Sequence, residues 1–306
     1  MPVRSFKDLR VRAVNHGPVR LAVAGGNDEE VMESVVEALS TGLVSIAHIT
    51  GEASRILGRV PAPLLGLIFC IESGDASDCA AKAVAIVRAG GADVLMKGHV
   101  DSTSYLRSIV SRDTGIRRAT LLSNITVAEM PSWPKLIAAT DNGIVPAPTL
   151  EQKRQIILNV RDLYRGLGID NVKVAVVTAT EKISDALPAT VDAAALAEES
   201  RAGKLPGFTV DGPFGYDVAV SKHAARTKGL DASLVAGDVD LLLFPTIDAA
   251  NAVAKAWKFH GNADTGSVVL GAKVPVMLNS RSDDAKRRIN GLLLAVAMKA
   301  GSMRDV

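Results

Sequence analysis

Near the end of the chain, Asn279-Ser280-Arg281-Ser282-Asp283-Asp284 gathers two hydroxyls, a guanidinium and two carboxylates into a few consecutive residues. A guanidinium offers a planar fork of donors suited to a phosphate-type oxyanion, and a neighbouring hydroxyl adds a further donor. A carboxylate close behind can serve as a base. Equally, Ser282 or Asp283 can be a plain helix N-cap, and Arg281 can pair with a nearby acid. A second cluster is Lys97-Gly98-His99 with Ser102-Thr103 and, one turn on, Arg107. A lysine at a strand end beside a glycine admits an anion closely, and Ser102 or Thr103 can cap the next helix with its N–H groups facing the same ligand. Thr140-Asp141-Asn142-Gly143 offers a carboxylate and an amide, although turn chemistry alone accounts for Asp-Asn-Gly. Gly25-Gly26-Asn27-Asp28 reads most simply as a strand-to-helix turn with Asn27 or Asp28 as cap.

Other chemistries lack their motifs. Gly25-Gly26 does not have the G-x-G-x-x-G spacing, and no G-x-x-x-x-G-K-[ST], H-E-x-x-H or G-x-S-x-G occurs, which disfavours a dinucleotide fingerprint, a P-loop, a zinc enzyme and a Ser-His-Asp hydrolase. No metal site is expected.

These clusters sit where a repeating pattern of strand, Gly/Asn/Asp/Ser turn and amphipathic helix would place them. Residues 19–24, 44–49, 64–71 and 92–96 read as strands, and helices are expected over 29–39, 79–89 and 102–112. A strand over 121–127 and a loop at 131–134 precede a break at 141–148, where Pro146 and Pro148 stand before a long helix from about 150 to 167. The second half continues with strands at 173–178, 208–211, 240–244, 267–270 and 274–278. Helices are expected over 190–202, 216–228, 248–259 and 283–300. The resulting architecture is two α/β domains with the clusters at strand ends, where open parallel sheets bind ligands.

Composition fits this reading. Of 306 residues, 48% are hydrophobic and only 4% aromatic, so the core is aliphatic. Thirty-five Lys and Arg against 33 Asp and Glu leave a net charge of +2, too balanced for a partner chosen by bulk electrostatics such as nucleic acid. Two cysteines, Cys70 and Cys79, suit a reduced, cytoplasmic protein. Residues 60–71 form an apolar run too short to cross a membrane and interrupted by Pro61 and Pro63.

Four blocks carry a more specific likeness: LMKGHVDSTSYLRSIV (95–110), LIAATDNGIVPAPTLEQKRQIILNV (136–160), LPATVDAAAL with VDGPFGYDVAVS (187–196 and 210–221), and AGDVDLLLFPTIDAANAVAKA with GAKVPVMLNSRSD (236–256 and 271–283). In content, order and spacing the chain resembles the phosphate acetyl/butyryltransferases from about Val19 to Ala300. The resemblance implies exchange of an acyl group between CoA and inorganic phosphate, with CoA and its acyl ester as substrates and no permanently bound cofactor. It implies two doubly wound α/β domains around a cleft, similar to the isocitrate/isopropylmalate dehydrogenases. The last helix then returns to the first domain, giving 1–145 plus 283–306 as one domain and 146–282 as the other, the second forming a homodimer. Ser280 and Arg281 match the family's catalytic pair. Asp283 fits the butyryl-type SR-x-D arrangement as the base, with Asp284 behind it, whereas Arg287 stands where the acetyl branch has its Asp. Lys97, Gly98, Thr103, Arg107 and Asp141 are the expected substrate-binding residues. Two other readings remain: a metal- and NAD-dependent hydroxyacid dehydrogenase of the same fold, and a CoA- or phosphate-binding protein without catalysis. Acyl chain length stays open among acetyl, propionyl and butyryl.

Overall fold

A computed structural model describes residues 2–279 and 283–303. The chain divides into two compact units, Phe6–Thr120 with Gly266–Val306 (the N-terminal unit) and Met1–Ser5 with Leu121–Thr265 (the central unit). These divisions fall at 120/121 and 265/266 rather than at 145 and 283. The first difference has a topological cause: Ser123–Glu129 and Ile137–Thr140 pair with each other, and the latter pairs onward with Leu241–Leu243, so all three belong to the central unit.

In chain order the N-terminal unit begins with α1 (Phe6–His16), β1 (Val19–Ala24), α2 (Glu29–Ser40), β2 (Val44–Gly51) and α3 (Ala53–Leu57). A 3-10 helix (Ala62–Leu67), β3 (Ile68–Glu72), α4 (Ala76–Arg88), β4 (Val94–Lys97) and α5 (Ser102–Val110) follow. The central unit holds β5 (Ser123–Glu129), β6 (Ile137–Thr140), α6 (Leu150–Asn159), α7 (Arg161–Gly166), β7 (Val172–Val177), α8 (Pro188–Arg201) and β8 (Phe208–Phe214). It continues with α9 (Tyr216–Val220), α10 (Lys222–Thr227), β9 (Leu241–Leu243) and α11 (Ile247–Phe259). The chain then returns through β10 (Asp264–Leu270), β11 (Val276–Met277) and α12 (Ala285–Ser302).

The N-terminal unit orders its strands β3-β2-β1-β4-β11-β10, parallel except for the β10–β11 pair. All four residues of β4 and five of the six in β1 are buried, as expected where helices cover both faces of a parallel sheet. The return helix α12 is apolar from Ile289 to Met298 apart from Asn290 and Gly291, buried along that stretch, and packs on α1 and α2. The central unit orders β5-β6-β9-β7-β8, with only β5–β6 antiparallel. Its core gathers Ile137, Phe214, Val239, Leu242 and Trp257.

Several elements depart from the sequence expectation. The run 64–71 is a 3-10 helix followed by β3, because Pro61 and Pro63 fix φ and remove two backbone donors at its start. The expected helix over 150–167 breaks at Val160. The helix over 216–228 breaks at Ser221, whose side chain accepts the Ala224 N–H and starts α10. Helix α1 and strand β6 were not expected at all. Among the described residues no helix is long and apolar enough to cross a membrane.

Candidate functional site

Strand order reverses beside β1: the chain steps outward through β2 and β3, then re-enters on the other side as β4. Such a switch point leaves a crevice at the carboxyl ends of the two strands. A cavity of about 570 Å³ opens there, and every lining residue belongs to the N-terminal unit. Gly25, Asn27 and Asp28 enter from the end of β1, Lys97 through Asp101 from the end of β4, and Asn279 and Arg288 from the two sides of the 280–282 segment.

Backbone proximity builds this floor. The N–H of Gly98 donates to Ala24 O at 2.9 Å and that of His99 to Gly25 O at 2.7 Å, so the two loops continue their strands' pairing beyond the sheet. A Cβ on Gly98 would collide with the Gly25 carbonyl oxygen, and Gly25 itself has φ +85°, so both positions require glycine. Thr50 locks the third strand in: Gly25 N–H donates to its Oγ1, which in turn donates to Val23 O or Cys79 O.

Three helices of nine or more residues, α2, α4 and α5, begin at the cavity. Their N-caps are Asp28, Asp75 and Asp101, which accept N–H bonds from Val31, Asp78 and Ser104 at 3.1, 2.8 and 2.8 Å. The cap of α5 is therefore Asp101, where Ser102 or Thr103 was expected; a carboxylate one residue earlier reaches the Ser104 N–H and starts the helix first. Asp28 is a cap, as the turn reading had it, but the same segment also lines the cavity.

The cationic groups lie deep. Lys97 ends β4 and is 5% exposed, and Arg288, in the first turn of α12, is also 5% exposed. Arg288 Nη2 stands 3.9 Å from Glu30 Oε2, and among the described residues nothing accepts a hydrogen bond from its Nε. The Asn279 side-chain oxygen is likewise buried and without a donor among the described residues. Cys79 lines the wall, with burial pushing its thiol upward. His99 is 69% exposed along its side chain and faces Asp28 at 3.7 Å.

Of the residues expected from sequence, Lys97 and Gly98 line this cavity. Thr103 and Arg107 are exposed on α5 and do not line it. Asp283 is half-buried just ahead of α12. Asp284 is the α12 N-cap, accepting the Arg287 N–H at 2.9 Å and pairing with the Arg287 guanidinium at 2.7 Å. Ser280 and Arg281 lie outside the described residues. Asp141 belongs to the central unit, at the end of β6, and is 1% exposed. Burial raises its carboxyl, while N–H bonds from Gly143, Ile144 and Val145 at 2.9, 3.0 and 3.2 Å oppose that rise. Arg288 was not singled out in the sequence. Its signal was present, since Arg288, Leu292 and Ala295 share one helical face and the latter two are core residues.

The family model for phosphate acetyl/butaryl transferase matches residues 72–296. The chain belongs to that family. It is 35% identical to a probable phosphate butyryltransferase of Bacillus subtilis (strain 168), covering 95% of this chain and 97% of that one. It is 32% identical to a phosphate acetyltransferase of Rhizobium meliloti, covering 96% and 93%. The solved branched-chain phosphotransacylase of Enterococcus faecalis V583 superposes with a TM-score of 0.81 at 26% identity, covering 92% of this chain and 99% of that one. In fold alone, the chain is also similar to a 4-hydroxythreonine-4-phosphate dehydrogenase of Burkholderia phymatum, with a TM-score of 0.53 at 14% identity over 92% of this chain and 98% of that one.

Proposed function

We propose that the protein is a phosphate acyltransferase that interconverts a short-chain acyl-CoA and inorganic phosphate with acyl phosphate and free CoA. The observation that carries this reading is the cavity at the β1/β4 switch point, with the buried cations Lys97 and Arg288 and the buried Asn279 in its wall. Two substrates with phosphate groups need such cationic depth, and full-length relatives named for this reaction support the assignment.

In the CoA-acylating direction, the CoA thiol attacks the carbonyl carbon of the acyl phosphate. Its proton passes to a carboxylate, the C–S bond forms, and the C–O bond to phosphate breaks with the electron pair leaving on phosphate. A free thiol with a pKa near 8.5 is only a few per cent ionised at neutral pH, so a base within reach raises the reactive fraction. We assign that base to Asp283. The SR-x-D arrangement supports this choice, while Asp284, the other candidate, caps α12 and pairs with Arg287. Arg281 and Ser280 stabilise charge on the carbonyl oxygen and on the departing phosphate. Lys97 and Gly98 seat the anionic substrate, and Thr103 and Arg107 contact the outer part of the CoA ester. Asp141 acts by holding the Gly143–Val145 backbone in place.

The working form is a cytoplasmic homodimer joined through the central unit, where Ile183, Leu187 and Val191 expose apolar side chains at 63%, 42% and 39%. Division of the chain for function follows the same two-domain plan, with the C-terminal helix completing the first.

Thiol release from acetyl-, propionyl- and butyryl-CoA, assayed with and without phosphate, tests the reading. Release that needs phosphate is expected, and each buried methylene shifts the preference by about 0.8 kcal/mol. Release independent of phosphate, or no release from any of the esters, would overturn it.

A further inference from the structure

Most buried guanidinium groups meet a carboxylate, but Arg288 does not do so closely. Its nearest acid, Glu30, is at 3.9 Å, and its Nε has no acceptor among the described residues although the residue is 5% exposed. A desolvated cationic donor left in that state costs several kcal/mol unless a ligand completes it. Across the same cavity the Asn279 side-chain oxygen has the opposite deficit, an acceptor without a donor. The rim carboxylates do not fill the gap, because Asp28, Asp75 and Asp101 are each committed to a backbone N–H at the start of a helix.

A ligand that satisfies both pairs an anionic oxygen with an O–H or N–H donor, and inorganic phosphate brings the two together in one small group. Inorganic phosphate keeps a P–OH throughout the neutral range. A diphosphate bridge has none, and a phosphomonoester has lost most of its P–OH above its second pKa of about 6. We infer that Arg288 and Asn279, with Lys97, form the seat of the inorganic phosphate substrate, Arg288 donating to its oxygens and Asn279 accepting from its P–OH. The cavity of about 570 Å³ is much larger than one phosphate and leaves room for part of the CoA ester beside it. This assignment rests on the acyltransferase reading and adds Arg288 and Asn279 to it as substrate-binding residues.

The test varies phosphate at saturating acyl-CoA, then acyl-CoA at saturating phosphate, in wild type, Arg288→Gln and Arg288→Lys. Thermal midpoints with inorganic phosphate or sulfate, without any CoA ester, run alongside. Arg288→Gln raises the KM for phosphate about tenfold or more, equivalent to about 1.4 kcal/mol, and leaves the KM for acyl-CoA unchanged. Arg288→Lys, which keeps the charge and loses the fork, falls between. Phosphate raises the wild-type midpoint more than sulfate does, and Arg288→Gln abolishes the rise. A raised KM for acyl-CoA with that for phosphate unaltered would assign the site to CoA phosphates and overturn the inference. Unaltered constants, or an equal rise in both, would make Arg288 structural and also overturn it. Should Arg288→Gln not fold, the Lys variant decides by the same criterion. If the wild type releases thiol without phosphate, the acyltransferase reading fails. The phosphate-induced midpoint shift still decides this site on its own.

Discussion

Lys153 in the central unit and Arg288 in the N-terminal unit are 4% and 5% exposed, yet their surroundings are opposite. Lys153 Nζ donates to Asp192 at 2.7 Å, and its helix α6 starts with a reciprocal capping box between Thr149 and Gln152. Arg288 stands at 3.9 Å from its nearest acid, beside an open cavity. The first cation is completed by the protein itself and serves the fold. The second has no acceptor for its Nε among the described residues, a state that suits the proposed seat for a small anion. Arg20, near the start of β1, shows that the N-terminal unit can satisfy a guanidinium when it is structural: Arg20 meets Asp93 through Nε and Nη2 at 3.1 and 2.9 Å.

Substitutions can break this contrast in order of size. Gly98→Ala forces a methyl group into the Gly25 carbonyl and is expected to cost about 3 kcal/mol in urea unfolding, with loss of turnover because the cavity floor moves. A cost near zero would mean that the two loops are not zipped as described. Lys153→Gln strands Asp192 and is expected to cost about 2 kcal/mol, less than for a fully buried pair because Asp192 is 25% exposed. Arg288→Gln should cost less than about 1 kcal/mol, since it removes an unmatched charge. If the two variants lose equal stability, the contrast fails. Asp283→Asn is expected to lower kcat strongly while Asp284→Asn leaves it near wild type, since Asn still caps α12. Equal small effects in steady-state kinetics would place the base elsewhere.

The smallest effect is pH-dependent. Burial pushes the Asp93 carboxyl up, but hydrogen bonds from Arg20 and Lys299 outweigh it and hold the group well below the usual carboxylate range. Its folded-state pKa thus lies under the unfolded value of about 3.9, so its contribution to stability is complete above roughly pH 5 and is lost as pH falls through the lowered value. Asp93→Asn should flatten the acid limb of a stability profile; an unchanged limb would show that the Arg20–Asp93 pair contributes nothing.

Much of the fold was legible because it is written in local patterns. The apolar runs of β1 and β4 and the turn after each are visible as sequence, and so is the apolar body of α12. Residues at 25–28 and 97–99 read as separate turns because nothing local says that β1 and β4 are neighbours; parallel pairing across some seventy residues merges them into one cavity. Cap and cavity wall looked like alternatives for Asp28, and the residue is both. Strand β6 was hidden by its length of four residues, two of them Ala, and α1 by a charged surface around Phe6, Leu9 and Ala13, its only buried residues. Charge alone does not separate Arg107, which is exposed on α5, from Arg288, whose helical phase turns it inward.

Phosphate-dependent acyl transfer is expected to depend on the Arg281 guanidinium. Phosphate-dependent thiol release from acyl-CoA in Arg281→Ala, with a thermal melt as the folding control, tests it most directly. A loss of about 100-fold or more in turnover is expected, with an unchanged melting midpoint. Wild-type turnover in a folded Arg281→Ala variant would contradict it.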